Sequence, residues 1–195
     1  MAKDYIINGL PADLITGSVL NSRRLAVDSQ QTSFEEGKQF RFFDRLTADD
    51  AITSTQQVVY YISTVNAINL FSRVLTVHEG GREYLVYLDD GSHTFTGTLA
   101  DSGVISSIRP SVGLSSSVSI QRAAGASIFT AGNDPVDGTM AVADINAARA
   151  VPVLSADSLK IEIPAGGGAY VVLNHLGSND DLVGRLFYAW EEVFD

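Results

Sequence analysis

Proton transfer or metal binding in this 195-residue chain has few side chains to draw on, since it has three histidines, His78, His93 and His175, and no cysteine. The histidines fall in three separate stretches of alternating polarity. None stands four residues from another on a helix, and the H-E-x-x-H arrangement of zinc hydrolases does not occur. An isolated histidine in a strand packs or faces water more often than it acts as a base, so all three are expected to be structural. A serine nucleophile needs a sharp turn of the form G-x-S-x-G. The nearest segment, Gly113-Leu114-Ser115-Ser116-Ser117, reads as a loop entering a strand. The glycine run Gly166-Gly167-Gly168 lies between two strand-like segments, whereas a phosphate cradle needs a helix N-terminus after its glycines. Asp89-Asp90-Gly91, Asn133-Asp134 with Asp137, and Asn179-Asp180-Asp181 are oxygen donors of the kind calcium takes, but none has EF-hand spacing. Asp, Asn and Gly also favour turns for their own local hydrogen bonds. No residue is therefore nominated as catalytic or metal-binding, no cofactor is implied, and the chain is not expected to be an enzyme. Paired carboxylates for polysaccharide hydrolysis are the one catalytic idea that spacing alone leaves open.

The elements around these residues alternate with a period of two. In Ser158-Leu159-Lys160-Ile161-Glu162-Ile163 the apolar side chains take one face and the polar ones the other. Pro164 to Gly168 then reads as a hairpin turn, with Ala169 to Leu176 as the returning strand. The same grammar predicts strands in Glu36 to Leu46, Thr55 to Val65, Leu70 to His78, Arg82 to Leu88, His93 to Leu99, Ser117 to Gln121 and Leu182 to about Val193. About nine strands predict an all-β domain, a β-sandwich or jelly roll, over 32–195. Residues 1–31 lack sustained periodicity and read as an extended N-terminal arm. Ala123 to Pro152, rich in small residues, reads as one long inserted loop with a short helix near Ala141 to Ala148. Arg82 to Leu88 is apolar on both faces, with Tyr84, Val86 and Leu88 on one and Leu85 and Tyr87 on the other. A two-layer sandwich covers one face of each strand, so the second face needs the arm or, as the favoured expectation, a second subunit.

Composition narrows the class of partner. With 23 acidic against 13 basic residues the net charge is −10, which argues against direct nucleic-acid binding, where clustered Lys and Arg neutralise phosphates. Apolar runs such as Val58 to Ile62 are too short to span a bilayer, and Met1 to Tyr5 does not open a signal peptide, so no membrane partner is expected and synthesis in a cytoplasm is. The aromatics Tyr60, Tyr61, Tyr84, Tyr87, Tyr170, Tyr188 and Trp190 are raw material for a sugar platform, although their place in alternating strands favours core or subunit contact.

An arm, the strand entry Phe34-Glu35-Glu36-Gly37-Lys38-Gln39-Phe40-Arg41-Phe42, the late segment Ile163-Pro164-Ala165-Gly166-Gly167-Gly168-Ala169-Tyr170-Val171-Val172-Leu173-Asn174 and the terminal Trp190-Glu191-Glu192 together resemble small virion proteins of tailed bacteriophages. The resemblance implies a non-enzymatic structural subunit on the particle exterior, assembled in the host cytoplasm. A capsid decoration (cement) protein that stabilises the head is the first expectation, and a tail or collar appendage or a receptor- or glycan-binding module the alternative. It further implies a homo-oligomer, often a trimer, in contact with the major capsid protein or a tail protein. The expected contact residues are the arm anchors Ile6, Ile7, Leu10, Leu14 and Ile15, then Phe129, Met140 and Val142 in the long loop.

Overall fold

A computed structural model describes residues 6–7, 10–11, 33–46, 57–77, 81–142, 152–154, 160–175 and 184–194. A two-residue pair, β1 (Ile6–Ile7) and β2 (Leu10–Pro11), joins antiparallel at the N-terminus. The rest is a sandwich of two antiparallel sheets. Its strands are β3 (Gln39–Leu46), β4 (Gln57–Ser63), β5 (Ile68–Val77), β6 (Gly81–Leu88), β7 (Thr94–Asp101), β8 (Val104–Ser107), β9 (Ser119–Thr130), β10 (Asp137–Val142), β11 (Pro152–Leu154), β12 (Ile161–Ile163), β13 (Gly168–His175) and β14 (Gly184–Glu192). The first sheet runs β10-β6-β13-β4-β9-β7. The second runs β11-β5-β14-β3-β8, with β12 also paired to β5.

Alternation decides which side chains fill the space between the sheets. In β3 the residues Phe40, Phe42, Asp44 and Leu46 are buried while Arg41, Phe43 and Arg45 are exposed. From the facing sheet Val58, Tyr60 and Ile62 of β4, Tyr84 and Val86 of β6 and Ala169, Val171 and Leu173 of β13 enter the same core. Each large apolar side chain so buried contributes about 1.5–3 kcal/mol. Three polar contacts cross this core and register one sheet on the other. Asp44 of β3 accepts hydrogen bonds from the Tyr60 hydroxyl at 2.8 Å and the Ser102 hydroxyl at 2.7 Å, with Arg122 Nη1 of β9 3.4 Å away. In the centre the Tyr188 hydroxyl of β14 donates to that of Tyr84 at 3.1 Å. On the far side Arg73 of β5 pairs with Asp137 of β10 at 2.9 Å. At one end, buried Glu192 accepts from Asn66 Nδ2, Ser116 Oγ and the Ser117 amide, all at 2.9 Å. Buried charge tolerated in this way has its hydrogen-bonding capacity filled by fixed donors.

Three features differ from the sequence-based expectation. Among the described residues the sandwich has twelve strands, not nine, because β8, β10 and β11 are short or rich in small residues and so carry little alternation. Secondly, the stretch expected as a single long loop over 123–152 is built largely of strand. β9 continues to Thr130 and β10 occupies Asp137–Val142, so Ala141 and Val142 are strand; 143–148 of the expected helix lies outside the described residues. Gly125, Ala126 and Ser127 of β9 stand opposite the single residue Gly97 of β7, a bulge that small residues permit. Thirdly, the Pro164–Gly168 turn, with Gly166 at φ +71°, is not a hairpin. β12 pairs with β5 and β13 with β4 and β6, so the turn carries the chain from one sheet to the other. Among the described strands from β3 onward, no two consecutive ones are hydrogen-bonded to each other. Within the expected arm, the described residues pair as extended backbone, Ile7 facing Leu10 and Ile6 facing Pro11.

Candidate functional site

The two outer faces of the sandwich hold what chemistry the described residues offer. On the first sheet, the outward residues of β4, β13 and β6 line up in rows. Gln57, Asn174 and Glu83 form a polar row, Val59, Val172 and Leu85 an aliphatic one, and Tyr61, Tyr170 and Tyr87 an aromatic one. The polar row is a hydrogen-bonded ladder: Gln57 Nε2 donates to Asn174 Oδ1 at 2.8 Å, and Asn174 Nδ2 to Glu83 Oε2 at 2.9 Å. Gln57 Oε1 accepts the Phe129 amide at 2.7 Å, which holds the far half of β9 against the edge of β4. Beyond the bulge, Phe129 lies with Val59, Tyr87 and Val172 in a second buried cluster, flanked by Leu85, Phe95, Ala123 and Tyr170. The second apolar face expected to need a neighbour is thus covered at Tyr87 by the chain's own β7–β9 ribbon.

The turn after β6 locks this cover. Gly132 N–H donates to His93 Nδ1 at 3.0 Å, which leaves Nε2 to donate to the Leu88 carbonyl, also at 3.0 Å. A Cβ on Gly132 would meet the Ser92 carbonyl, so only glycine lets the two segments approach. The imidazole lies 5.5 Å from the Tyr87 ring and 5.2 Å from that of Phe129, centroid to centroid. Hydrogen bonds from the Ser92 hydroxyl and amide, then from Asn133, hold the exposed Asp90 carboxyl down at about 2. Asp89 accepts from the Tyr61 hydroxyl at 2.8 Å and from the Gly91 amide at 3.1 Å. Burial, and next the Asp89 hydrogen bond, push the Tyr61 phenol up to about 12.

Among the described residues, the second sheet's outer face exposes part of an apolar row. Val104 of β8, Phe43 of β3, Phe187 of β14 and Val74 of β5 are register neighbours and form an apolar row across four strands. Phe43 is 43% and Val104 65% exposed, far above any residue of the first sheet's aromatic cluster core. One row on, toward the N-terminal end of β14, Arg45 faces Arg185, and one row the other way Arg41 faces Ala189. Arg41 Nε donates to Ser106 Oγ at 3.1 Å. A further row along, Glu191 faces Gln39.

The sequence-predicted contact residues are scattered over this framework. Ile6, Ile7 and Leu10 lie in the β1–β2 pair, while Leu14 and Ile15 lie outside the described residues. Phe129 is 7% exposed and taken up by its own chain's cluster, so its side chain is not presented to a neighbour. Met140 and Val142 sit on the edge strand β10, opposite Glu83 and Gly81. Of the candidate sugar-platform aromatics, Tyr60, Tyr84, Tyr188 and Trp190 are core residues, Tyr87 is buried under the ribbon, and only Tyr61 and Tyr170 are half-exposed. The open row at Phe43 and Phe187 was missed, although a signal existed: Phe42-Phe43 are adjacent, and in an alternating strand two neighbours cannot share one face. Of the acidic turns, Asp89 and Asp90 hold their own loop, Asp137 pairs with Arg73, and 179–181 lies outside the described residues. Among the described residues no group of three or more acidic or histidine side chains is placed to hold a metal ion, and no helix is long and apolar enough to cross a membrane.

No known protein family, curated protein or solved structure matches this chain. What the arrangement can do chemically is therefore read from its surfaces. The first sheet's face is covered by its own chain at Val59, Val172 and Tyr87, and the second presents the Phe43 ring and the guanidinium groups of Arg41, Arg45 and Arg185 on its surface.

Proposed function

We propose that this chain is a non-enzymatic structural subunit on the exterior of a tailed-bacteriophage particle, a homo-oligomer acting first as a capsid decoration protein that stabilises the head. One observation carries the reading beyond the family resemblance: the apolar row Val104–Phe43–Phe187–Val74 lies on an outer sheet face with two of its members largely exposed. Such a row, flanked by arginines, suits assembly, since soluble monomers seldom present a continuous apolar strip. The buried carboxylates Asp44 and Glu192 and the half-buried Asp137 support the same reading. Their hydrogen bonds tie sheets and loops together and leave them little freedom for acid–base work. A net charge of −10 suits an outer shell better than a DNA-filled interior.

Quantitative mass spectrometry of purified particles tests this. Hundreds of copies per particle indicate decoration, tens of copies an appendage subunit, and absence from particles removes the reading. Loss of particle binding on deletion of 1–31 identifies the arm as the anchor. A receptor- or glycan-binding module is the second reading, favoured by half-exposed Tyr61 and Tyr170, whose rings lie 4.7 Å apart beside the Asp89 carboxylate. Glycan-array silence of the wild-type protein, with unchanged host adsorption by particles that lack it, removes that alternative.

A further inference from the structure

We propose that β7, the outermost strand of the first sheet, pairs antiparallel with β7 of a second copy of this chain about a two-fold axis through Gly97, so that the two first sheets run on as one. The inference rests on the homo-oligomer of the reading above and names the contact through which two copies meet.

An edge strand presents unpaired N–H and C=O groups that invite another strand, and natural sheets guard their edges with shortness, proline or charge. The first sheet ends in β10 and β7, the second in β8 and in β11 and β12, which both pair with β5. All but one of these are guarded. β8 has four residues, β11 has three and opens on Pro152, β12 has three with Glu162 at its centre, and β10 opens on Asp137, held by Arg73. β7 has eight residues, and from Thr94 to Ala100 it holds neither a charge nor a proline. One side of it bonds to β9, and among the described residues the other has no strand partner. Only Phe95 and Leu99 are half-buried; every other residue of β7 is exposed.

The order of residues about Gly97 selects a second copy as the occupant. An antiparallel pair is symmetric about a two-fold axis normal to the sheet, so the backbone donors and acceptors of one edge meet their complements in the same edge of another copy. Centred on Gly97, the side chains match as well. Thr96 falls opposite the partner's Thr98, Phe95 opposite the partner's Leu99 and Thr94 opposite the partner's Ala100. Threonine pairs hydrogen-bond across strands, and ring and leucine set apolar against apolar. The bulge in β9 bends the ribbon at Gly97, which residues 125–127 face. An axis normal to the sheet turns both bends to the same side, so the joined ribbons curve together. A chain of net charge −10 repels its copies, but the first charge along β7, Asp101, lies four residues, about 14 Å, from the axis. The paired stretch 94–100 therefore sets no two carboxylates against each other. A threefold ring requires two different patches on each subunit, whereas this edge is its own complement, so the contact is two-fold rather than the trimer implied by the family resemblance.

Sedimentation equilibrium of the full chain over micromolar concentrations tests the pairing. The wild type is expected to dimerise. Thr96→Lys combined with Thr98→Lys sets four cations side by side across the axis and should weaken self-association about tenfold or more. Both positions are exposed, and far-ultraviolet circular dichroism matching the wild type shows that the variant is folded. Register is read by cross-linking, since the chain has no cysteine of its own. Thr94→Cys and Ala100→Cys, mixed and oxidised in air, should yield covalent dimers because the two positions face each other. Either variant alone should not, as its two thiols then lie about 20 Å apart along the paired strands. Wild type that stays monomeric, a lysine variant that dimerises as tightly as wild type, or thiols that cross-link as well alone as mixed would each overturn the pairing. A monomer that still occupies particles overturns the pairing and leaves the virion reading intact. Cross-links in the expected register, found in a protein absent from particles, do the reverse.

Discussion

The two outer faces of this sandwich begin from the same rule and end differently. Both carry rings on outward strand positions: Tyr61, Tyr170 and Tyr87 on the first sheet, Phe43 and Phe187 on the second. On the first sheet a bulge in β9 and a glycine-permitted turn at 131–133 bring Phe129 and His93 down over the rings, and Tyr87 ends 7% exposed. No such ribbon covers the Phe43 row among the described residues, and Phe43 ends 43% exposed. The polar residues follow suit. Around the covered face they bond to one another, as in the ladder Gln57, Asn174 and Glu83, while the open face sets cations and a carboxylate at its ends. An outward ring is thus no sign of an interface until the chain's own cover has been accounted for.

Truncation of the two faces should separate them most strongly. Phe129→Ala removes a ring buried by its own chain and should lower stability by about 3–5 kcal/mol in urea unfolding. Phe43→Ala should change monomer stability by no more than about 0.5–1 kcal/mol, its effect falling on association instead. Equal losses would erase the distinction between the faces. Next in size, Gln57→Ala leaves the Phe129 amide and Asn174 without their partner and should cost about 1–3 kcal/mol, with faster amide exchange in the far half of β9. Exchange that stays slow would mean that the ladder does not hold the cover.

A smaller effect belongs to pH. The folded Asp90 carboxyl lies near 2, below its usual 3.8, so its turn contributes stability that is present above about pH 4 and lost as pH falls towards 2. Amide exchange at Ser92 should quicken in that window while exchange in β3 and β14 holds. The smallest signal is spectroscopic. Phenols raised by burial favour the neutral form, so their contribution is present below pH 10 and lost as pH climbs through the folded value. Tyr61 should titrate near pH 12 by ultraviolet absorbance, while Tyr60, Tyr84 and Tyr188, all buried between the sheets, should stay neutral until the protein unfolds. Titration of all the tyrosines together near pH 10 would contradict both the core and the covered face.

Much of the strand layout was legible because alternation is local: each side chain's face follows from its neighbours two residues away. Gln39–Leu46, Gly81–Leu88 and Gly184–Glu192 were readable for that reason, and so was the two-faced character of β6. β9 past residue 122 was not, because Ala, Gly and Ser there offer little contrast between faces. The sheet to which each strand belongs was equally hidden, since a Pro-Gly turn between two strands has the same local chemistry whether it closes a hairpin or crosses the sandwich. Hence Pro164–Gly168 was read as one and is the other.

By itself, the order of residues determined an acidic, cysteine-free, all-β chain, and it decided which positions point the same way along each strand. Only the tertiary structure decided which of two ring-bearing faces is covered and which is open, because cover comes from segments far apart in sequence: Phe129 over Val59, His93 beside Phe129, and Phe43 beside Phe187. A period of two can say that a side chain points outward from its sheet. What meets it there depends on contacts that no local pattern encodes.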